Sequence, residues 1–225
     1  MKATIVYDNK VWKKGLGLIW AVWGFSSLVE VENTPRMLFD TGTDGRILLH
    51  NMEKLGIDPM SIEELFISHI HRDHTGGMTE FLKVNKKVKV YVPYNFPPSS
   101  TQIEVSTVEK PTKIHEKVFS TGGLNWTKTI PNVVPLEQSM CVKTDRGIVV
   151  IVGCSHPGVS RILEAASAFG EVYAVVGGLH GFKEYGLFRD LGLICPTHCT
   201  QHIEEIKRLY PDKYVSGGVG QKIQI

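Results

Sequence analysis

Three histidines and an aspartate lie close together in one short segment, which reads Ser-His-Ile-His-Arg-Asp-His-Thr-Gly-Gly over residues 68–77. Its candidate ligands for a borderline-soft divalent metal ion are His69, His71, Asp73 and His74. Only nine of the 225 residues are histidine. A surface loop that is rich in histidine by chance is therefore a poor alternative explanation, and the segment predicts a metal site.

The apolar residues before this segment predict where its side chains point. Residues 65–68 read as a short buried β-strand, so the candidate ligands begin where that strand ends. Side chains two residues apart in an extended chain lie on the same side, which lets His69 and His71 bind one ion. Asp73 and His74 fall on the turn that opens the next helix. The pattern predicts one half of a two-metal site.

More candidate ligands follow apolar runs in the second half of the chain. They are Cys154, His156, His180 and His198. Each comes after a run that is typical of a buried strand. If these strands run in the same direction, their ends meet at one edge of a sheet, where a cleft for a ligand forms.

Strand and helix signals alternate along the chain. We predict strands over residues 3–7, 26–31, 37–40, 65–68, 88–92, 138–144, 148–152, 172–176, 193–195 and 222–225, and helices over 46–55, 78–84, 159–169, 183–191 and 201–210. Asp145-Arg146-Gly147 predicts a hairpin turn. Residues 93–135 have the least regular pattern, and we expect strands joined by loops that line the cleft.

The motifs together resemble the metallo-β-lactamase superfamily. The resemblance rests on His-x-His-x-Asp-His at 69–74, on Asp40 in Leu38-Phe39-Asp40-Thr41-Gly42, and on three later segments. These are Gly153-Cys154-Ser155-His156-Pro157-Gly158, Gly177-Gly178-Leu179-His180 and Cys195-Pro196-Thr197-His198-Cys199-Thr200. The set is similar to the dihydropterin-ribofuranosylaminobenzene-phosphate synthase-like subgroup. It implies an α+β fold, an αββα four-layer sandwich, with residues 1–225 as a single domain.

The resemblance also suggests how the ligands divide between two metal ions. In the superfamily's hydrolases a carboxylate follows the strand that corresponds to residues 148–152 and bridges both ions, but here Cys154 stands in its place. Either the Cys154 thiolate bridges, or His156 supplies the missing ligand. We favour His156, because a neutral imidazole completes a set of three protein ligands and leaves a position for water. The expected groups are His69, His71 and His156 for one ion, and Asp73, His74 and His198 for the other.

Three further side chains have expected roles around these ions. Asp40 would orient a ligating histidine through its other ring nitrogen, or else it only begins a turn before Gly42. The candidate catalytic residues are Asp73, which would steer a water molecule, and His180, which would bind an oxyanion or donate a proton. The expected cofactors are two divalent metal ions, with zinc favoured and iron or manganese as alternatives.

Composition limits the partners of the protein. The 25 basic and 23 acidic residues nearly balance, so nothing supports binding to nucleic acid. The apolar stretch over residues 16–29 is too short to span a membrane. Four cysteines do not form a disulfide framework, which favours a reducing cytoplasm. The expected partner is a small-molecule substrate, and the sequence does not indicate an oligomeric state.

Four functions compete for this pattern. The leading one is a metal-dependent hydrolase that activates water against an ester, a phosphoester or a related bond. The subgroup implies an alternative, condensation or transfer on a pterin phosphate. The others are redox chemistry at a di-iron centre and a non-catalytic metal-binding module. Trp23, at the expected mouth of the cleft, favours a flat or aromatic substrate.

Overall fold

The computed structural model describes residues 1–19, 23–96, 103–126 and 135–225. A seven-stranded sheet has the order β15-β1-β2-β3-β4-β5-β6. Its strands are β1 (Lys2–Tyr7), β2 (Ser26–Glu30), β3 (Met37–Phe39), β4 (Glu64–Phe66), β5 (Lys89–Pro93), β6 (Val105–Val108) and β15 (Lys222–Gln224). Strands β3 to β6 are parallel, and β1 runs in the same direction because β2 is antiparallel to both of its neighbours. The ends of β1 and β4 therefore meet at one edge.

A second sheet of six strands has the order β14-β13-β12-β11-β8-β7. Its strands are β7 (Thr112–Lys113), β8 (Val118–Ser120), β11 (Met140–Thr144), β12 (Gly147–Val152), β13 (Val172–Gly178) and β14 (Leu193–Thr197). A separate two-stranded ribbon pairs β9 (Leu124–Asn125) with β10 (Leu136–Glu137). Strands β12, β13 and β14 are parallel, so their carboxyl ends also lie at a common edge.

The two sheets pack face to face. Successive residues along a strand point to opposite faces of its sheet, and both faces are apolar. Ile5 of β1 and Ile151 of β12 belong to the core between the sheets. Val6, next to Ile5, faces a second core that also contains Leu48. Val150, next to Ile151, faces a third core. Burial on both faces explains why these strands read as continuous apolar runs.

Helices cover the outer faces of both sheets. They are α1 (Gly45–Lys54), α3 (Met78–Val84), α4 (Val159–Ser167) and α5 (Ile203–Leu209), whereas the short helix α2 (Arg72–Thr75) lies between β4 and α3. Residues of α1 and α3 pack on the first sheet, and residues of α4 and α5 pack on the second. This is the predicted α+β fold, an αββα sandwich, and the prediction is confirmed.

Most predicted elements are present with small shifts at their ends. The hairpin over 138–152 forms as β11 and β12. The helix predicted over 183–191 was wrong, since only a 3-10 turn forms, at Tyr185–Phe188. Gly186 in the middle of this segment disfavours an α-helix. Within 93–135 the described residues form short strands, and residues 97–102 and 127–134 lie outside the described part of the chain.

In the part of the chain that the structure describes, no helix combines the length and the apolar character that a bilayer crossing needs.

Candidate metal centre

The candidate ligands come from both sheets and meet at one edge of the sandwich. In the first sheet, β4 leads into an extended segment with His69 and His71, and α2 then begins at Arg72. Asp73 and His74 lie on that short helix. In the second sheet the ligands follow the carboxyl ends of β12, β13 and β14. These are Cys154, His156, His180 and His198.

The side chains form two adjacent donor groups. His69, His71 and His156 make one group, and their donor atoms lie within 4.8 Å of one another. Asp73, His74, Cys154 and His198 make the second, within the same limit. These are the two sets that the sequence predicts, and Cys154 joins the second.

Distances within the groups are short enough for shared coordination. Nε2 of His69 lies 3.1 Å from Nδ1 of His71. In the second group, Nε2 of His198 lies 3.1 Å from Oδ2 of Asp73, and Nε2 of His74 lies 3.2 Å from Sγ of Cys154. Imidazole, carboxylate and thiol donors in this arrangement fit a borderline-soft divalent cation such as zinc or iron.

Sequence reasoning left open whether Cys154 or His156 completes the site. The structure places each in a different group, since His156 lies beside His69 and Cys154 beside His74. Cys154 is buried, at 2% exposure, and a neighbouring thiol, Cys199, has its Sγ 3.8 Å from the Cys154 carbonyl oxygen. The two alternatives are therefore compatible with each other.

Asp40 and Ser68 hold the rings of two candidate ligands. The Nδ1 of His74 donates to Oδ2 of Asp40 at 2.6 Å. Ser68 donates its hydroxyl to the same Asp40 oxygen at 2.7 Å, so its Oγ accepts from Nδ1 of His69 at 2.9 Å. These bonds leave the Nε2 atoms of both rings directed at the centre. Asp40 has the orienting position that the sequence predicts, and it accepts from Ser68 N as well.

Glu137 holds the third ring. This fully buried carboxylate accepts from Nδ1 of His156 at 2.8 Å. It also accepts the backbone N–H groups of Cys154, Ser155 and His156. Burial by itself raises the pKa of Glu137, but the electrostatic interaction with His69 and the hydrogen bond from His156 outweigh that effect and lower it. Sequence reasoning missed Glu137, because only the folded ribbon brings it to this loop.

The electrostatic environment shifts the pKa values of the site histidines in opposite directions. Burial, together with the charge of His74, lowers the pKa of His69 well below its ordinary value, which keeps the imidazole neutral and able to bind a cation. Burial also lowers the pKa of His74, yet Asp40 and Asp73 outweigh it and raise the pKa to about 10. Burial raises the pKa of Asp73, but hydrogen bonds with His198 and His74 lower it overall, so Asp73 is a carboxylate.

Backbone strain concentrates at this edge. Among the described residues, five that are not glycine have a positive φ: Asn33, Asp40, Ser155, His180 and His198. All except Asn33 lie at the site. Residues other than glycine keep a left-handed backbone conformation only where the surrounding structure holds them in it, and such residues cluster at functional sites.

A tryptophan lies at each end of the row of imidazoles. Trp126 stacks on His156 with ring centroids 4.6 Å apart and an angle of 22°. The ring centroids of Trp126 and His71 lie 5.7 Å apart, at an angle of 66°. The ring centroid of Trp23 lies 4.8 Å from that of His198, and Trp23 is 47% exposed. Sequence reasoning did not single out Trp126.

His180 lies at the margin of both groups. Its ring centroid is 4.7 Å from that of His156, and its donor atom falls in a third set with Cys154 and His156. His115 is elsewhere, and its Nε2 lies 2.7 Å from Oε2 of Glu64. His202 precedes α5. Neither His115 nor His202 belongs to the donor groups found among the described residues.

Comparison with known proteins agrees with this geometry. The profile of the metallo-β-lactamase superfamily matches residues 23–186. A curated relative, the 7,8-dihydropterin-6-methyl-4-(β-D-ribofuranosyl)-aminobenzene-5′-phosphate synthase of Methanocaldococcus jannaschii, is 26% identical over 87% of this chain and 90% of the relative. The resemblance to that subgroup therefore holds beyond the motifs themselves.

Solved structures resemble the whole chain. Tm1679, described as a metal-dependent hydrolase of the β-lactamase superfamily, has a TM-score of 0.76 and 25% identity, and the match covers 100% of this chain and 99% of that protein. The metallo-β-lactamase fold protein YhfI from Bacillus subtilis has a TM-score of 0.66 and 13% identity, with 99% and 98% covered. The second likeness concerns the fold alone.

Proposed function

Because this chain belongs to the metallo-β-lactamase superfamily, we propose that it is a metal-dependent hydrolase acting on an ester, phosphoester or related bond of a small molecule. One observation carries the proposal: two donor groups, built from residues of both sheets, lie side by side at one edge of the sandwich. A lone structural metal needs only one such group, whereas paired groups are typical of hydrolytic sites.

The residues present fit two divalent cations, with zinc favoured. His69, His71 and His156 would hold one, and Asp73, His74 and His198 the other, with Cys154 beside the second. Bound there, the cations would supply Lewis acidity and lower the pKa of a water molecule towards about 7. Iron or manganese remains an alternative for the same donors.

Asp73 and His180 would carry the proton transfers. Asp73 is ionised and partly exposed, with 17% of its side chain accessible, so its carboxylate is able to accept a hydrogen bond from the attacking water. A hydrogen bond with Cys199 raises the pKa of His180, which favours the protonated imidazole that donates to a leaving group. Trp23 and Trp126 would border the substrate and limit the access of other water.

A substrate panel tests the proposal. Zinc-loaded protein is assayed against carboxylic esters, phosphoesters, thioesters and lactams, and we expect turnover in at least one class. Asp73→Ala and His71→Ala should each abolish that turnover while the far-UV circular dichroism spectrum is retained. His202→Ala, outside both groups, is the matched control and should keep full activity. Full activity in either site variant would refute the assignment, and no turnover in any class would favour a non-catalytic metal-binding module.

A second candidate is condensation or transfer on a pterin phosphate. Two observations favour it, the synthase relative and the tryptophan at each end of the site, which suits a flat heterocycle. Release of pyrophosphate from a pterin substrate would support this reaction over hydrolysis. Quenching of tryptophan fluorescence by a pterin tests the binding, and an unchanged signal across a panel of heterocycles would remove the flat-substrate hypothesis.

A further inference from the structure

The position of His198, one of the candidate ligands, depends on contacts with a distant part of the chain. It has a left-handed backbone, with φ of 47°, and follows β14. Its ring is buried, yet no carboxylate or serine among the described residues accepts from its Nδ1, as happens at His74, His156 and His69. The side chain at that nitrogen is Asn9, which follows β1, and the backbone N–H of Gly24 lies at the same nitrogen.

Asp8 and Asn9 contact His198 on both its backbone and its ring. The Asp8 carboxylate accepts from the backbone N–H of His198 at 3.1 Å and from that of Asn9 at 2.7 Å. Nδ2 of Asn9 donates to the carbonyl oxygen of His198 at 2.9 Å. With its N–H and C=O both bonded, the strained backbone of His198 is held in one conformation.

The orientation of the Asn9 amide follows from its backbone partners. The carbonyl of His198 can only accept, so it takes the amide nitrogen of Asn9. The N–H of Gly24 can only donate, and it lies 3.1 Å from Oδ1 of Asn9. Oδ1 therefore faces Nδ1 of His198, at 3.2 Å, as an acceptor.

Cation binding through Nε2 would require the proton of His198 to be on Nδ1. A neutral imidazole carries one proton, and a ring that binds a cation through Nε2 must carry it on Nδ1. The backbone N–H of Gly24 is also directed at Nδ1, at 3.2 Å, and would donate to it only when Nδ1 carries no proton. Protonation of Nδ1 leaves this N–H to Oδ1 of Asn9, at 3.1 Å. Asn9 Oδ1 is the acceptor placed for the Nδ1 proton.

We propose that Asn9 is a positioning residue for cation binding at His198, holding the ring with Nδ1 protonated and Nε2 directed at Asp73. The inference rests on the proposed metal site and goes beyond it, because Asn9 belongs to none of the donor groups found among the described residues. Asp8 supports Asn9 by anchoring the main chain of both residues.

Zinc binding by variants tests the proposal, with the metal alone as the probe. Affinities for both zinc ions are measured by competition with a chromophoric chelator. Asn9→Ala should lower the affinity for one of the two zinc ions by about 10–100-fold, the usual effect of losing a hydrogen-bond partner of a ligating histidine. The affinity for the other ion should stay unchanged. Asn9→Asp keeps an acceptor for Nδ1 and should retain more affinity than Asn9→Ala.

Asn85→Ala is the matched control, since among the described residues the Asn85 amide bonds to backbone groups alone, at Pro59, Ile62 and Lys87. It should lower the unfolding temperature without changing either zinc affinity. Wild-type affinity for both ions in Asn9→Ala would overturn the inference alone, as would equal losses in Asn9→Asp and Asn9→Ala. A wild-type protein that retains no zinc would overturn the proposed function and this inference together.

Discussion

Glu137 joins a loop of three residues to one imidazole through a single carboxylate. Its two oxygens accept the backbone N–H groups of Cys154, Ser155 and His156 and the Nδ1–H of His156. All of this takes place in a fully buried position. Removing this side chain should strongly destabilise the fold, because the buried N–H donors would lose their acceptor and no water would replace it.

Glu137→Ala should therefore lower the free energy of unfolding by about 3–5 kcal/mol, since each buried donor left without an acceptor costs about 1–3 kcal/mol. It should also lower the affinity for the cation that His156 would bind. Urea unfolding and zinc titration measure the two effects. Glu116→Ala, at an exposed ion pair with Lys113, is the control and should change stability by less than about 0.5 kcal/mol. A change as small in Glu137→Ala would contradict this role.

The candidate metal ligands themselves could be predicted from the sequence. His69, His71 and Asp73 are marked by side-chain type and spacing within one short segment. Glu137 and Asn9 have no such mark, because a single acid or amide in a strand end is common. Their role depends on contacts across 19 and 189 positions of the chain, which local patterns do not encode.

At the scale of elements, the strand ends were predictable and the small connections were not. Apolar runs located β12, β13 and β14, because burial on both faces selects such residues. The ribbon of β9 and β10 has strands of two residues each, too short for a periodic pattern. That ribbon nevertheless brings both Glu137 and Trp126 against His156.

The junction of α2 and α3 illustrates how an element is held in position. Thr41 donates its N–H and its hydroxyl to the carbonyl oxygen of His74 at 2.8 and 2.9 Å. Gly77 lies against the same loop, where an added Cβ would collide with the carbonyl oxygen of Thr41 and approach Gly45 Cα to 3.2 Å. Glycine is required here by close contact between two backbones.

Gly77→Ala should push α2 away from this loop and lower the free energy of unfolding by about 1–3 kcal/mol, as overpacking does. Zinc affinity should fall as well, because Asp73 and His74 lie on α2. Gly186→Ala is the control, since its Cβ would meet no atom within 4 Å. Calorimetry and zinc titration of both variants test the argument, and equal behaviour of the two would reject it.

For the whole molecule, the donor groups lie where the two sheets meet. His69 and His71 follow a strand of one sheet, whereas His156 follows a strand of the other. Cations bound by both groups would therefore link the two halves of the sandwich. Such binding favours the folded state over the unfolded chain.

Zinc should accordingly stabilise the protein against heat. With free zinc at about 100 times the dissociation constant, each occupied site adds about 2.7 kcal/mol to the free energy of unfolding. A chelator should reverse the rise in unfolding temperature. The double variant His71→Ala/Asp73→Ala should show little of this response, and a wild-type midpoint that is insensitive to zinc and chelator would argue against cation binding in the folded state.

The central claim is that the two donor groups each hold a divalent cation. Elemental analysis of protein loaded with zinc and then freed of unbound metal tests it most directly. We predict about two ions per chain for the wild type, and about one for His71→Ala, because only the first group is damaged. A wild-type protein without bound metal, or an unchanged metal content in His71→Ala, would contradict the account.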